Sequence, residues 1–185
     1  IIVQEDCVNM KDSSPIAIVG GYDSIARSFY SKTKLINNDS IFINVSSKKV
    51  KKRQVFNYEI FELKKILKVL KKYKIRNLLF LGKINRPNLS NFQYDGEIDK
   101  HIPALIKSYK EGDGKVLLSV LKIFNQKGFN ILSPQEVSQS FFLNKNEVIK
   151  KIDIEDSDDI NKSVKLLNDL SKYDNAQSIV SINGY

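Results

Sequence analysis

The feature that most constrains the fold is a short apolar run that ends in two glycines. Residues Ile16–Val19 are all apolar, and Gly20-Gly21 follows them directly. A continuous apolar run of this length is typical of a strand that is buried on both faces of a parallel sheet. Asp23 or Ser24 then fits the N-cap of a helix, because both side chains accept hydrogen bonds from a first helical turn. The segment therefore predicts a strand, a tight turn and a helix.

The same alternation continues along the chain. A second apolar strand is predicted over Ile41–Val45, an amphipathic helix over Tyr58–Lys74 and a third strand over Leu78–Leu81. This β-α-β-α-β order indicates an α/β, Rossmann-like fold with a doubly wound and mostly parallel sheet. The further predicted elements are helices over Ile102–Tyr109 and Lys115–Gln126, a strand over Phe129–Leu132, a short helix from Pro134, a helix over Ile160–Leu170 and a strand over Ser178–Ile182.

The charge of the chain points to an anionic partner. The formal net charge is +9, but only four of the 30 basic residues are arginine. Proteins that read nucleic-acid phosphates favour arginine, whose planar fork binds oxyanions in a bidentate way, so we expect no nucleic-acid partner. With His101 and Cys7 each the only residue of its type, a Cys/His metal cluster is excluded, and we expect no Ser-His-Asp triad.

Two segments are candidate ligand sites. The Gly20-Gly21 turn leaves backbone N–H groups at a helix N-terminus, where an anion is favoured. It lacks the G-x-G-x-x-G fingerprint of dinucleotide sites, so a plain βα turn stays open. The second segment follows the third strand and contains Gly82, Asn85 and Arg86. Arg86 is suited to clamp a phosphate beyond the carboxyl ends of the strands; the alternative is a surface loop with Arg86 paired to a carboxylate.

Two further features have structural alternatives. Asp113 lies in a Glu-Gly-Asp-Gly turn, where it either binds a metal or, as we favour, caps the helix that follows. The lysines of the Tyr58–Lys74 helix occupy one face, which is either solvated or directed toward a membrane surface.

Five segments in this order resemble one family, the LpxI-type UDP-2,3-diacylglucosamine pyrophosphatases of lipid A synthesis. They are Ile16-Ala17-Ile18-Val19-Gly20-Gly21, Leu79-Phe80-Leu81-Gly82-Lys83-Ile84-Asn85-Arg86-Pro87, Pro103–Lys107 with Gly112-Asp113, Gly128-Phe129 to Pro134-Gln135-Glu136-Val137, and Asp174-Asn175-Ala176-Gln177-Ser178-Ile179-Val180. The likeness covers about residues 15–185.

The resemblance implies a two-domain enzyme that hydrolyses the pyrophosphate of UDP-2,3-diacylglucosamine to UMP and lipid X. It implies a divalent metal, usually Mg²⁺, and a cytoplasmic protein that touches the inner leaflet of the inner membrane transiently; a homo-oligomer stays open. The ligand-binding residues expected on this basis are Gly20, Gly21, Gly82, Asn85, Arg86, Asp113 and Gln177.

The resemblance also divides the chain. We expect a tail over residues 1–14, the Rossmann-like N-terminal domain over 15–143, a linker over 144–159 and the truncated start of a catalytic domain over 160–185. The family's later acidic elements, E-G-T-D and R-x-D-x-P-T-x-G, do not occur in this chain. Its catalytic acids are therefore expected downstream of Tyr185, and the 185 residues alone are predicted to be inactive. The alternative is a domain that binds a nucleotide or phosphate without catalysis.

Overall fold

The computed structural model describes residues 13–60, 62–84, 101–142, 154–171 and 178–181. In chain order the elements are β1 Ile16–Gly20, α1 Ser24–Ile36, β2 Ile41–Asn44, β3 Val55–Asn57, α2 Leu63–Lys72, β4 Asn77–Phe80, α3 Ile102–Glu111, α4 Asp113–Gln126, β5 Asn130–Ile131, α5 Pro134–Val137, a 3₁₀ turn Gln139–Phe141, and α6 Ile154–Ser171.

The strands form one parallel sheet in the order β3-β2-β1-β4-β5. β1 lies in the centre and pairs with β2 on one side and β4 on the other. β2 and β3 therefore extend the sheet on one side of β1, and the chain then crosses over to add β4 and β5 on the other side. This confirms the α/β, Rossmann-like, doubly wound fold, and every strand pair among the described residues is parallel.

Alternate residues of β1 enter two different hydrophobic cores. Ile16 and Ile18 pack with Phe29 of α1 and Val137 of α5 on one face of the sheet. Ala17 and Val19 face the opposite core. That second core is formed with the apolar sides of α2, α3 and α4, namely Leu63, Ile66, Leu70, Leu105, Ile123 and Phe124. Burial on both faces explains why the sequence of β1 is a continuous apolar run rather than an alternating one.

Two helix starts are specified by local sequence. The carboxylate of Asp23 accepts a hydrogen bond from the backbone N–H of Ala26, so Asp23 is the N-cap of α1. Ser133 and Glu136 form a reciprocal capping box at the start of α5, with Pro134 in its first turn as predicted.

The predicted helix over Tyr58–Lys74 is wrong at its start. α2 begins at Leu63, and a third strand, β3, precedes it. The backbone N–H of Glu59 donates to the carboxylate of Glu62, at 2.8 Å, in the turn before the helix. β3 has only three residues at the sheet edge, too few for a period-two pattern to be visible in the sequence.

The C-terminal predictions also need correction. α6 begins at Ile154, inside the segment expected to be a linker, and not at Ile160. Residues 178–181 form no strand, so the predicted strand over Ser178–Ile182 is wrong for these residues. A strand is stabilised by pairing with a neighbour, and the sheet of the described residues ends at β3 and β5 without including this segment.

Candidate functional site

The winding of the sheet creates a crevice beside β1. The connection through α1 leads from β1 to β2, whereas β4 is reached on the other side of β1. The segments that leave the carboxyl ends of β1 and β4 therefore diverge to opposite faces of the sheet. Ligands of open α/β sheets bind at such a switch point.

Three glycines allow the segments after β1 and β4 to touch at this point. A Cβ added to Gly20 would lie 1.9 Å from the carbonyl oxygen of Leu81, and one added to Gly21 would lie 2.0 Å from that of Lys83. A Cβ on Gly82 would lie 2.1 Å from the carbonyl oxygen of Gly21. The predicted glycines Gly20, Gly21 and Gly82 are thus brought together, and backbone contact requires all three.

Position 20 must be glycine for a different reason from the one that its place in a turn suggests. A glycine directly after a strand is often explained by a positive φ, which would exclude a β-branched residue at position 20. Of the three glycines only Gly82 has a positive φ, of 104°. Gly20 is required because the strands approach too closely for a side chain.

Asp23 fastens the same two segments. Its Oδ1 accepts from the N–H of Ala26 at 2.9 Å, and its Oδ2 accepts from the N–H of Lys83 at 2.7 Å. The Ala26 hydrogen bond, with a smaller contribution from Lys83, holds the pKa of the Asp23 carboxyl below its usual value. Asp23 is therefore an ionised structural carboxylate that joins α1 to the segment after β4.

A cleft of about 570 Å³ opens above these contacts. Three carboxyl-end segments surround it: the β1–α1 turn, the loop after β2 and the segment after β4. The lining residues are Gly21, Tyr22, Asp23, Arg27, Ser46, Lys48, Lys49, Val50 and Lys83. The volume is in the range of small-molecule sites, which span roughly 300–1,000 Å³.

The cleft is strongly cationic. Four basic side chains line it, Arg27, Lys48, Lys49 and Lys83, against the single carboxylate of Asp23. Lys49 Nζ contacts Glu59 at 2.9 Å, but this pair is more than half exposed on both sides and contributes little to stability. A bound anion can therefore compete for Lys49. The chemistry of the cleft is that of a site for phosphate or diphosphate groups.

Of the other predicted site residues the structure describes only Asp113, which does not line the cleft. Asn85, Arg86 and Gln177 lie outside the described residues. Asp113 is the first residue of α4, whose N-cap is Gly112 with a φ of 120°. The expectation that Asp113 caps this helix is therefore wrong, because a residue inside the first turn is beyond the N-cap position.

Most of the charged side chains that line the cleft are not among the site residues predicted from the sequence. Lys48 and Lys49 are recognisable as part of a basic loop, and Lys83 lies beside the predicted Gly82. Their convergence follows from the parallel sheet, since loops after β2 and β4 emerge at one edge. Arg27 gives no separate signal, because an arginine in the first turn of a surface helix is unremarkable in sequence.

The described ranges contain neither a cluster of metal-ligating side chains nor a helix able to cross a membrane. In those ranges no three residues of the His, Cys, Asp or Glu types are grouped closely enough to hold a metal ion. Asp23 is the one carboxylate among the described residues that line the cleft, and each of its oxygens accepts a backbone hydrogen bond, so the lining offers Mg²⁺ at most a single carboxylate ligand. No helix of the described chain combines the length and apolar character that crossing a membrane requires.

The fold and the cleft together define an α/β domain of the Rossmann-like class with a cationic crevice at its topological switch point. Residues 15–141 match the family model of the LpxI N-terminal domain. The chain belongs to the LpxI family.

A relative in Caulobacter vibrioides, UDP-2,3-diacylglucosamine pyrophosphatase LpxI, is 29% identical over 126 residues. The alignment covers 68% of this chain and 45% of the relative, so the matched region spans less than half of the relative's length.

Proposed function

We propose that this chain is the nucleotide-binding part of an enzyme of lipid A biosynthesis that hydrolyses the pyrophosphate bond of UDP-2,3-diacylglucosamine, giving UMP and lipid X. Membership of the LpxI family and the activity that the Caulobacter relative is named for support this assignment. Because the match covers 45% of that relative, the catalytic activity is proposed for the whole protein, and the 185 residues alone are expected to be inactive.

The observation that carries the proposal is the cationic cleft at the β1–β4 switch point. A nucleoside diphosphate ester carries two negative charges on adjacent phosphates. Lys48 and Lys83 approach from opposite sides of β1, on the segments after β2 and β4, and can therefore contact both phosphates. Fixed cations around a pyrophosphate also stabilise the charge that develops on the leaving phosphate during hydrolysis.

A second candidate function is binding of a nucleotide or phosphate without catalysis. The lining of the cleft favours it, since Asp23 is the one carboxylate there and its two backbone hydrogen bonds lower its pKa, which makes it a weak base for activating water. The two candidates share the same ligand chemistry and differ in turnover by the complete protein.

The remaining parts of the proposal rest on the resemblance to the LpxI family described in the sequence analysis. We propose that Mg²⁺ accompanies the diphosphate, which would neutralise part of its charge, with protein ligands outside the described cleft. We further propose a cytoplasmic protein that meets its lipid substrate at the inner leaflet, with the exposed lysines of α2 as an electrostatic contact.

Calorimetric titration of the chain with UDP tests the ligand assignment. Lys83→Gln removes one cation from the cleft, and Lys71→Gln removes the same charge from the far end of α2. We expect Lys83→Gln to weaken UDP binding about tenfold, since a hydrogen bond to a charged group contributes roughly 1.5–3 kcal/mol. Equal Kd values for the two variants would show that UDP does not bind in the cleft.

Turnover is a separate measurement. UMP release from UDP-2,3-diacylglucosamine with Mg²⁺ is expected for the complete protein and not for the 185-residue chain. A complete protein that binds UDP but releases no UMP would favour the non-catalytic candidate.

A further inference from the structure

The loop that carries Lys48 and Lys49 is anchored by two asparagines on neighbouring strands. Asn44 is the last residue of β2 and Asn57 is the last residue of β3, and the two are register partners. Asn44 is completely buried. Its Nδ2 donates to Oδ1 of Asn57 at 2.8 Å, so the two amides are joined across the strands.

The same amides hold the loop at three points. Asn44 Nδ2 also donates to the carbonyl oxygen of Lys48 at 2.8 Å, and Asn44 Oδ1 accepts from the hydroxyl of Ser46 at 2.7 Å. Asn57 Oδ1 accepts a hydrogen bond from the N–H of Val50, and Asn57 Nδ2 donates one to the carbonyl oxygen of Val50, both at 2.8 Å. Residues 46–50 are therefore fixed by side chains of the sheet rather than by a turn of their own.

The held segment is the one that brings cations to the cleft. Lys48 is bonded through its own carbonyl, and Lys49 lies between it and the anchored Val50. A loop of consecutive lysines otherwise resists close approach, because like charges repel and each ordered residue loses conformational freedom. A loop ordered before the ligand arrives avoids that loss on binding.

We propose that Asn44 and Asn57 are positioning residues that pre-order the Lys48–Lys49 segment for the two phosphates of a nucleoside diphosphate. This inference rests on the proposed function for its ligand. The fixation of the loop is a separate claim that can be measured without a ligand. Neither asparagine needs to touch the phosphates, because each acts through the backbone of the loop.

The chain offers a matched control at the opposite edge of the sheet. Asn77 and Asn130 are also register partners on adjacent parallel strands, β4 and β5. Their amides are joined by a hydrogen bond of 3.1 Å from Nδ2 of Asn130 to Oδ1 of Asn77. This pair lies at the amino end of β4 and holds no cleft residue. Asn130→Ala therefore removes a cross-strand amide bond without touching the basic loop.

The first readout is limited trypsin digestion of the full chain without ligand, because trypsin cleaves after lysine. We expect Asn57→Ala to accelerate cleavage after Lys48 and Lys49 at least about fivefold over wild type, and Asn130→Ala to leave it unchanged. Unchanged cleavage in Asn57→Ala, or equal acceleration in both variants, would overturn the fixation of the loop.

The second readout is UDP affinity in a double-mutant cycle of Asn57→Ala with Lys48→Gln. If Asn57 acts by positioning Lys48, the Lys48→Gln change weakens binding about tenfold in wild type and less than about threefold in the Asn57→Ala background. Equal fold-changes in both backgrounds would overturn the positioning role.

The two readouts separate the inference from the proposed function. Faster trypsin cleavage in Asn57→Ala together with no UDP binding by wild type would refute the ligand assignment while leaving the loop anchored as described. UDP binding by wild type with an additive cycle would leave the proposed function intact and refute the positioning residues.

Discussion

Substituting Gly20 by alanine tests the close contact between the segments that follow β1 and β4. The new Cβ would lie 1.9 Å from the carbonyl oxygen of Leu81, whereas Cβ atoms in proteins keep at least 3.0 Å from such atoms. The strands must therefore separate by about 1 Å at the switch point, because the three atoms nearest to the new Cβ belong to the main chain of Leu81 and Gly82 and cannot rotate away.

The cost can be worked from the bonds that this separation disturbs. The N–H of Leu81 donates to the carbonyl of Val19 at 3.2 Å, and the N–H of Val45 donates to the carbonyl of Gly20 at 3.0 Å. Two hydrogen bonds at about 1 kcal/mol each, with about 1–3 kcal/mol for overpacking, give a loss of about 3–5 kcal/mol. That is a large share of the roughly 5–15 kcal/mol that a domain holds in total.

Urea unfolding followed by circular dichroism measures the loss, with Gly128→Ala as the matched control. Gly128 has a φ of 85°, and a Cβ added there would have no neighbouring atom within 4 Å, so alanine meets backbone strain only, about 1–2 kcal/mol. We expect the midpoint of Gly20→Ala to fall well below that of Gly128→Ala. A midpoint equal to or above the control would refute the close-contact explanation.

Three further predictions concern titration and the ligand. Because the pKa of Asp23 is depressed in the folded protein, its contribution to stability is complete above its usual pKa of 3.8 and is lost as the pH falls through the folded pKa. Asp23→Asn should therefore reduce the loss of stability on acidification, measured as the difference between urea midpoints at about pH 3 and pH 6. Burial raises the pKa of Tyr30 to about 12, so its contribution to stability is complete below its usual pKa of 10.0 and declines as the pH rises toward 12. Tyr30→Phe should flatten this decline in alkaline unfolding curves. Under the proposed function, Arg86→Ala in the complete protein should raise KM for UDP-2,3-diacylglucosamine, and an unchanged KM and kcat would reduce Arg86 to a loop residue.

The centre of the fold could be predicted from sequence because several local signals agree there. The apolar run of β1, the glycine pair and the Asp23 cap specify the strand, turn and helix independently. The glycines were also recognisable as a special position. The physical reason for these glycines could not be recognised from the sequence. Their contacts with Leu81 and Lys83 join segments about 60 residues apart and depend on strand order.

The edges of the fold and of the site could not be predicted in the same way. β3 is too short to show a period, yet its last residue, Asn57, anchors the basic loop of the cleft. The start of α4 depends on the positive φ of Gly112, which moves Asp113 from the expected cap into the helix. The strand at β3 and the helix start at Gly112 were set by tertiary contacts and backbone geometry. The local sequence did not favour either of them clearly over its alternative.

We propose that a nucleoside diphosphate binds in the cationic cleft at the switch point. Amide chemical-shift mapping of the ¹⁵N-labelled chain during titration with UDP tests it most directly. We predict that the largest shifts occur at Gly21, Asp23, Lys48 and Lys83, and that Asn130 at the opposite edge does not shift. Shifts centred on the opposite edge, or none at millimolar UDP, would show that the cleft is not the binding site.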